Sequence, residues 1–382
     1  MRETATALID RYGDSDDPGS TRVSPIPKKG QPTDPDVVRF LNFALHDNTY
    51  GLSARLMDAA SDRIVLSQFT ILHNPRQEGE EPQLPEQSWG TDPRNWHRDV
   101  RPDHDGPLSE ILTDTGANGP GYVQWNIALY EDSILEVVPG SHRRLQSEAE
   151  MSQVESGGTQ TALADGLRVE LSPGDGVVYN NVFLHRGTQY TPDITRRTIH
   201  IGYRMFDRML PHQNGTPLPR HVREQYADGA PQRCVIDRFD VLYGEEFDLI
   251  ERIFRAVIKR DGEALGGGLD QLHPNEVGRL SCLIVLSKLA QKVHGMHEQG
   301  IDSVEPACGY WSMSEQRLYD LATRLSRTDV ERLWAGFGAL DRMIRSGQEG
   351  HTRGFLGPPT GYFYEQLPST ITAEQVVEAM LE

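Results

Sequence analysis

A chain of 382 residues, with 37% apolar and 25% charged side chains, is long enough to bury a large core and does not have the composition of a disordered protein. Its formal net charge of −18 repels phosphate backbones, which argues against a nucleic-acid partner. No apolar run approaches a membrane span of about 20 residues, so no membrane partner is expected.

Residues 1–34 are polar and rich in Pro, Gly and Asp, and read as a loosely held arm. Residues 35–60 carry helical spacing in Val37, Phe40, Leu41 and Ala44, then Leu52 and Leu56, with Asp34 or Asp36 as the cap and Pro35 in the first turn. Residues 63–73 form a β-rich run, and 75–95 a long Pro, Glu and Gly loop. Further strands are expected at 121–130, 134–138, 167–171, 176–179 and 197–204. Short strands between turn residues suggest an antiparallel sandwich or barrel. After about residue 240 the texture becomes helical, at 244–259, 275–293, 313–326, 328–346 and 372–381. Gly266, Gly267, Gly268 and Pro274 punctuate these helices. The expected division is an arm at 1–34, a β core with its first helix at 35–235, and a helical extension at 236–382. The extension could shape a pocket, mediate a homodimer, or both. Residues 1–16 lack an apolar stretch flanked by basic residues, so no secretory leader is expected and the cytoplasm is the expected compartment. Cys234, Cys282 and Cys308 lie far apart and suggest neither zinc nor a disulfide framework.

The chemistry-bearing residues begin at Asn95-Trp96-His97-Arg98-Asp99-Val100. In an extended segment residues two apart point to the same side, so His97 and Asp99 can offer an imidazole and a carboxylate to one metal. Of the thirteen histidines, only His97 has an aspartate two positions on. Two imidazoles and one carboxylate on one face, with the opposite face open, are the ligand set of oxygen-activating non-haem iron. The second imidazole is expected from His185, which ends a β-rich run entered by the turn Pro173-Gly174-Asp175. Arg196 follows, then Arg197. A guanidinium suits the far carboxylate of a keto dicarboxylate bound to iron, and strand alternation lets only one of the two face inward. Gln68, Gln124 and Asn126 are polar residues in β runs, where an inward position would demand a partner such as a cosubstrate carboxylate.

At these residues the chain resembles the phytanoyl-CoA dioxygenase family, from about residue 60 to 205. The resemblance rests on the His97-x-Asp99 pair and on a Pro139-Gly140-Ser141-His142 turn. It also rests on Gly174 and Asp175 ahead of His185, and on Arg196 at the family's interval. It implies a jelly roll (a double-stranded β-helix) with flanking helices, a mainly β core in an α+β chain. It implies iron(II) held by His97, Asp99 and His185, with 2-oxoglutarate and O₂ as cosubstrates and ascorbate as a reductant. Arg196, Trp125 and Gln68 are the implied cosubstrate contacts. The implied reaction oxidises an unactivated C–H bond, most simply by hydroxylation, with release of succinate and carbon dioxide. Asp99 argues against halogenation, because halogenating relatives lack this carboxylate. The sequence departs from the family at Glu131-Asp132-Ser133-Ile134, where a small Gly-rich turn is usual, and at Arg186-Gly187. The acidic surface favours a neutral or cationic small substrate, a specialised metabolite rather than a polyanionic thioester. Loops 75–95 and 101–120 are expected to line its entrance, with Asp103, Asp105 and Glu110 as acidic candidates. Two other readings are a cupin-like metal enzyme that does not use 2-oxoglutarate, and a non-catalytic jelly-roll binding protein. The orientation of Arg196 and the retention of metal separate them.

Overall fold

The computed structural model describes residues 1–13, 21–31, 34–74, 95–100, 108–158, 160–188, 195–209, 218–306, 310–345 and 371–382. The expectations for residues 75–94, for Asp103 and Asp105, and for Cys308 fall outside them.

The first segment is not a loose arm. Helix α1 (Arg2–Tyr12) buries Thr4, Ala5, Leu8 and Ile9, and strand β1 (Arg22–Val23) pairs into a sheet. The polar composition hid this because only one stripe of α1 is apolar. Burying Leu8 alone is worth ~1.5–3 kcal/mol, enough to hold so short a helix against the core. Helix α2 (Pro35–Ala44) starts as expected, with the Asp34 side chain accepting the Asp36 N–H and Pro35 in the first turn. A π-helical turn, Asp47–Gly51, leads into the short α3 (Leu52–Leu56).

The central strands follow. They are β2 (Ile64–His73), β3 (Tyr122–Ala128), β4 (Leu135–Val137), β5 (Leu167–Arg168), β6 (Gly176–Tyr179), β7 (His185–Gly187) and β8 (Arg197–Met205). Helix α4 (Leu108–Asn118) precedes β3, and α5 (Glu148–Gly157) follows β4. Residues 108–118, read as loop, are therefore helical. A five-stranded sheet runs β1-β2-β8-β3-β6 and a three-stranded sheet runs β5-β4-β7, with every pair antiparallel. Leu135 and Val137 of β4 cluster with Tyr179 of β6, which joins the two sheets.

Strand alternation sorts the large sheet into two faces. Phe69, Ile71, Val123, Trp125, Ile127, Ile199, Ile201 and Tyr203 share one apolar cluster with the helices. A bulge between Leu66 and Gln68 shifts the parity, so Leu66 and Phe69 both reach that cluster. Gln68, Gln124, Asn126, Thr198 and His200 stand on the other face.

Helices α6 (Pro231–Lys259), α7 (Gly262–Leu272), α8 (Arg279–Gln299), α9 (Met313–Thr323), α10 (Arg327–Arg345) and α11 (Ala373–Leu381) complete the chain. The expected boundary at 235/236 falls inside α6, whose first turn begins at Pro231. Gly266, Gly267 and Gly268 do not interrupt the helices but lie within α7. A Cβ on Gly268 would stand 2.5 Å from Ile253 Cγ1, so glycine lets α6 and α7 approach. The extension is wired to the strands. Arg204 of β8 pairs with Glu246 of α6 at 2.8 Å, and Asp114 of α4 lies 3.2 Å from His273.

Helices hold more of the described residues than strands do, so the expected β core is the smaller part of the described chain. The chain is helix-rich with two antiparallel sheets, an arrangement consistent with a jelly-roll core. Among the described residues no helix is long and apolar enough to cross a membrane.

Candidate metal centre

His97 and His185 meet through backbone. The His97 N–H donates to His185 O at 2.9 Å and the His185 N–H to His97 O at 3.0 Å, a single antiparallel bridge. The Asp99 N–H donates to Asn181 O at 2.8 Å. The segment 97–99 is thereby held in extended form beside β7, and both its odd residues face the same side.

One ligand atom from each of His97, Asp99 and His185 lies within 4.8 Å of the others. His97 Nε2 is 3.8 Å from Asp99 Oδ1, and His185 Nε2 is 3.4 Å from Asp99 Oδ2. His97 Nδ1 lies 2.6 Å from Asn95 O, and His185 Nδ1 2.8 Å from Phe183 O. A neutral imidazole must donate from Nδ1 to make such a bond, which leaves Nε2 as a lone pair aimed at the shared point. Both rings repeat this device, each using the carbonyl two residues earlier. The donor set and its spacing fit a divalent metal with three protein ligands on one face.

The surroundings hold these side chains. The Gln124 amide donates to Asp99 Oδ2, and the Tyr122 hydroxyl donates to Gln68 Oε1 at 2.7 Å while lying 3.3 Å from Gln124 Oε1. Gly202 of β8 makes room for that hydroxyl, since a Cβ there would stand 2.1 Å from it. Arg98 points the opposite way from the ligands on either side of it and is almost wholly buried. It donates to Ser141 O at 2.8 Å, to Val182 O, and to Arg144 O at 3.1 Å. Ser141 Oγ accepts the Leu184 N–H at 2.9 Å, and Gly140 takes a φ of +79° that favours glycine. The Pro-Gly-Ser-His turn is thus a clasp that ties Arg98 to Leu184, each next to a ligand, and His142 is not part of the cluster.

Burial, then the neighbouring His185, lowers the His97 pKa to about 4. Burial lowers His200 to about 3. For Asp99, burial raises the pKa, but His185, His97 and the Gln124 amide together bring it well below the usual carboxylate range. Both histidines are therefore neutral at pH 7. Their folded pKa values lie below the unfolded value near 6.5, so the unfolded chain takes up more protons between about pH 6.5 and 4. The metal-free protein is expected to lose stability as pH falls through that window. Urea unfolding of chelator-treated protein at pH 7, 5.5 and 4.5 checks this, and a flat midpoint contradicts it.

Gln68 lies on the triad's face, bonded to Tyr122. Trp125 does not reach the centre. It alternates with Gln124 and Asn126, so its ring enters the apolar cluster, with Nε1 donating to Ser53 Oγ at 2.9 Å. Arg196 comes one residue before β8, in step with Thr198 and His200, and its Nε donates to Asp132 Oδ2 at 2.9 Å. Arg197 faces the other way. His200, Tyr122 and Tyr179 escaped the sequence reading. His200 stands two strand steps beyond Arg196, and the rings of Tyr179 and His185 are 5.0 Å apart. A cavity of about 630 Å³ between Lys29, Arg220, Arg233 and Trp311 has no triad residue in its wall. Arg220 and Arg233 are already paired there with Asp240 and Asp228.

Two histidines and one carboxylate, brought together beside two antiparallel sheets, define a candidate non-haem metal centre of the oxygenase type. No protein-family model matches the chain, and no curated protein matches it in sequence. Among solved structures it is similar to AviO1 from Streptomyces viridochromogenes Tue57, at 21% identity and a TM-score of 0.32, over 57% of this chain and 85% of that one. It is also similar to iron-bound EctD from S. alaskensis, at 14% identity and 0.32, over 54% and 66%. A third is the epimerase SnoN with Fe3+, alpha ketoglutarate and nogalamycin RO, at 17% and 0.28, over 45% and 60%. The chain thus spans less than two thirds of SnoN. Likenesses this loose carry no weight beside the residues themselves.

Proposed function

We propose that the chain is a non-haem iron(II) oxygenase that uses 2-oxoglutarate and O₂ to oxidise, most simply to hydroxylate, a C–H bond of a small specialised metabolite. The observation that carries this reading is the convergence of His97 Nε2, His185 Nε2 and the Asp99 carboxylate within 4.8 Å, with both Nδ1 atoms committed to backbone carbonyls. Iron bound there would supply oxygen activation coupled to conversion of 2-oxoglutarate into succinate and carbon dioxide.

The chain's own residues supply the rest. His97, Asp99 and His185 would hold the metal as its three protein ligands. Gln124 fixes the Asp99 carboxylate. Arg196, just ahead of β8 and in step with Thr198 and His200, is the cation for the far carboxylate of 2-oxoglutarate. About 13 Å of strand separates it from His200, a span that an extended arginine and a five-carbon diacid bridge together. Gln68 supports the site through Tyr122. The neutral state of His97 keeps protons from competing with the metal down to mildly acidic pH. The net charge of −18 favours a neutral or cationic substrate.

Anaerobic calorimetry with iron(II), then 2-oxoglutarate, tests the assignment, with succinate formation under air and ascorbate as the second readout. The expected result is one iron per chain, 2-oxoglutarate binding only to the iron-loaded form, and slow succinate release. Iron binding without 2-oxoglutarate binding would point to a cupin-like metal enzyme. Binding of neither would leave a jelly-roll binding protein.

A further inference from the structure

His200 stands on the triad's face of the large sheet and has no part in the reaction as proposed above. On β8 it pairs with Asn126 on one side and Thr70 on the other, two residues from the pair of Gly202 with Gln124, whose amide holds Asp99. Its Nδ1 lies 2.6 Å from Asn126 Oδ1 and 3.1 Å from Trp125 O. A main-chain carbonyl only accepts, so Nδ1 carries the proton and Nε2 is left as a lone pair. Asn126 is held in that sense, because its amide donates to the Tyr179 hydroxyl at 3.3 Å. His200 is 5% exposed, and among the described residues its Nε2 has no hydrogen-bond partner. The ring lies outside the ligand cluster of His97, Asp99 and His185. Asp99 and His185 nevertheless both act on its charge, which puts it beside that cluster, and burial holds it neutral at pH 7. A buried acceptor without a donor is unfavourable, so the lone pair marks a place for one. 2-Oxoglutarate cannot fill it, since at neutral pH the diacid carries oxygen acceptors and no N–H or O–H.

We propose that His200 Nε2 is the substrate's acceptor in this site, a specificity-determining group that receives a hydroxyl or ammonium hydrogen. This narrows the substrate class to alcohols and amines, and it rests on the reading of the metal centre given under Proposed function. A site built round a buried polar group rejects the analogue that lacks its partner far more strongly than an apolar wall rejects a change of one methylene.

The test is the nitrogen-15 spectrum of the histidines in protein loaded with 2-oxoglutarate and with zinc(II) in place of iron(II). The His200 signal is assigned by its loss in His200→Phe. Four probes are titrated: cyclohexanol and its methyl ether, cyclohexylamine and the cyclohexyltrimethylammonium ion. Nε2 is expected to start at the frequency of a free acceptor and to ignore 2-oxoglutarate. It should move toward that of a hydrogen-bonded nitrogen with cyclohexanol or cyclohexylamine, which should bind at least about tenfold more tightly than its methylated counterpart. In His200→Phe the members of each pair are expected to bind within about twofold of each other. The donor that binds tells a hydroxyl substrate from an ammonium one. An Nε2 already hydrogen-bonded before any probe and unmoved by all four marks an ordered water only, and overturns the proposal. A free Nε2 that no probe moves overturns it too, as does a folded His200→Phe that keeps the tenfold preference. Should His200→Phe not fold, judged by circular dichroism, His200→Gln serves the assignment and the unsubstituted protein's titrations decide. If neither metal nor 2-oxoglutarate binds, the reading of the metal centre fails, and the same titrations of the metal-free protein still decide the role of His200.

Discussion

Replacing Asp99 by alanine is expected to abolish iron retention and succinate formation together, while leaving the fold intact. Asp99 is the sole carboxylate of the described cluster, and its two oxygens face His97 and His185 at 3.8 and 3.4 Å. Two imidazoles alone make a weaker and more open site, so the loss should exceed the ~10–100-fold that removal of an outer-shell partner costs. Folding should tolerate the change. Burial opposes its charge, but His185, His97 and the Gln124 amide outweigh that and hold the carboxylate well below its usual range, so its removal should cost some stability at pH 7 without unfolding the chain. A lower urea midpoint for the metal-free variant, with a cooperative transition retained and iron affinity lost, is the expected pair of results. Full succinate formation by Asp99→Ala would remove the metal centre as the seat of the chemistry.

Arg98→Leu should cost stability as well as metal. Arg98 is 1% exposed and bonds three carbonyls in two segments, Ser141 and Arg144 in one turn and Val182 ahead of β7. Leucine fills part of the volume but leaves those oxygens buried without this donor, at a cost of about 3–5 kcal/mol. Because Arg98 lies between the two ligands of its segment, the lost clasp should also loosen the metal site. Urea unfolding reads the first effect and iron titration the second. A variant as stable as the parent would show that the clasp is dispensable.

Much of this site was legible from the sequence because its signals are local. The two-residue step from His97 to Asp99, the Gly174-Asp175 turn before His185 and the Pro-Gly-Ser-His clasp each lie within a few residues. Arg196 rather than Arg197 required the register of β8, which depends on the partner strands. Trp125 shows the limit most clearly. Its neighbours Gln124 and Asn126 could be inward only if Trp125 were outward, so the three could not all serve the site. The helices α1, α4 and α5 were hidden by polar composition, and α7 by three glycines, of which Gly268 allows close approach to Ile253. Tertiary packing decides those segments, and propensity alone does not.

The vacancy left by Gly202 binds four positions into one unit. Tyr122 crosses the strand only because nothing projects from residue 202, and its hydroxyl then serves Gln68 while sitting beside Gln124, the amide that steadies Asp99. Filling that vacancy displaces the phenol and shortens the reach of both glutamines at once. Changes at 68, 122, 124 and 202 should therefore show strong epistasis, with each substitution's cost set by the other three. A lineage could drift at these sites only by replacing the whole quartet, and libraries that vary them one at a time would misjudge what the strand can accept.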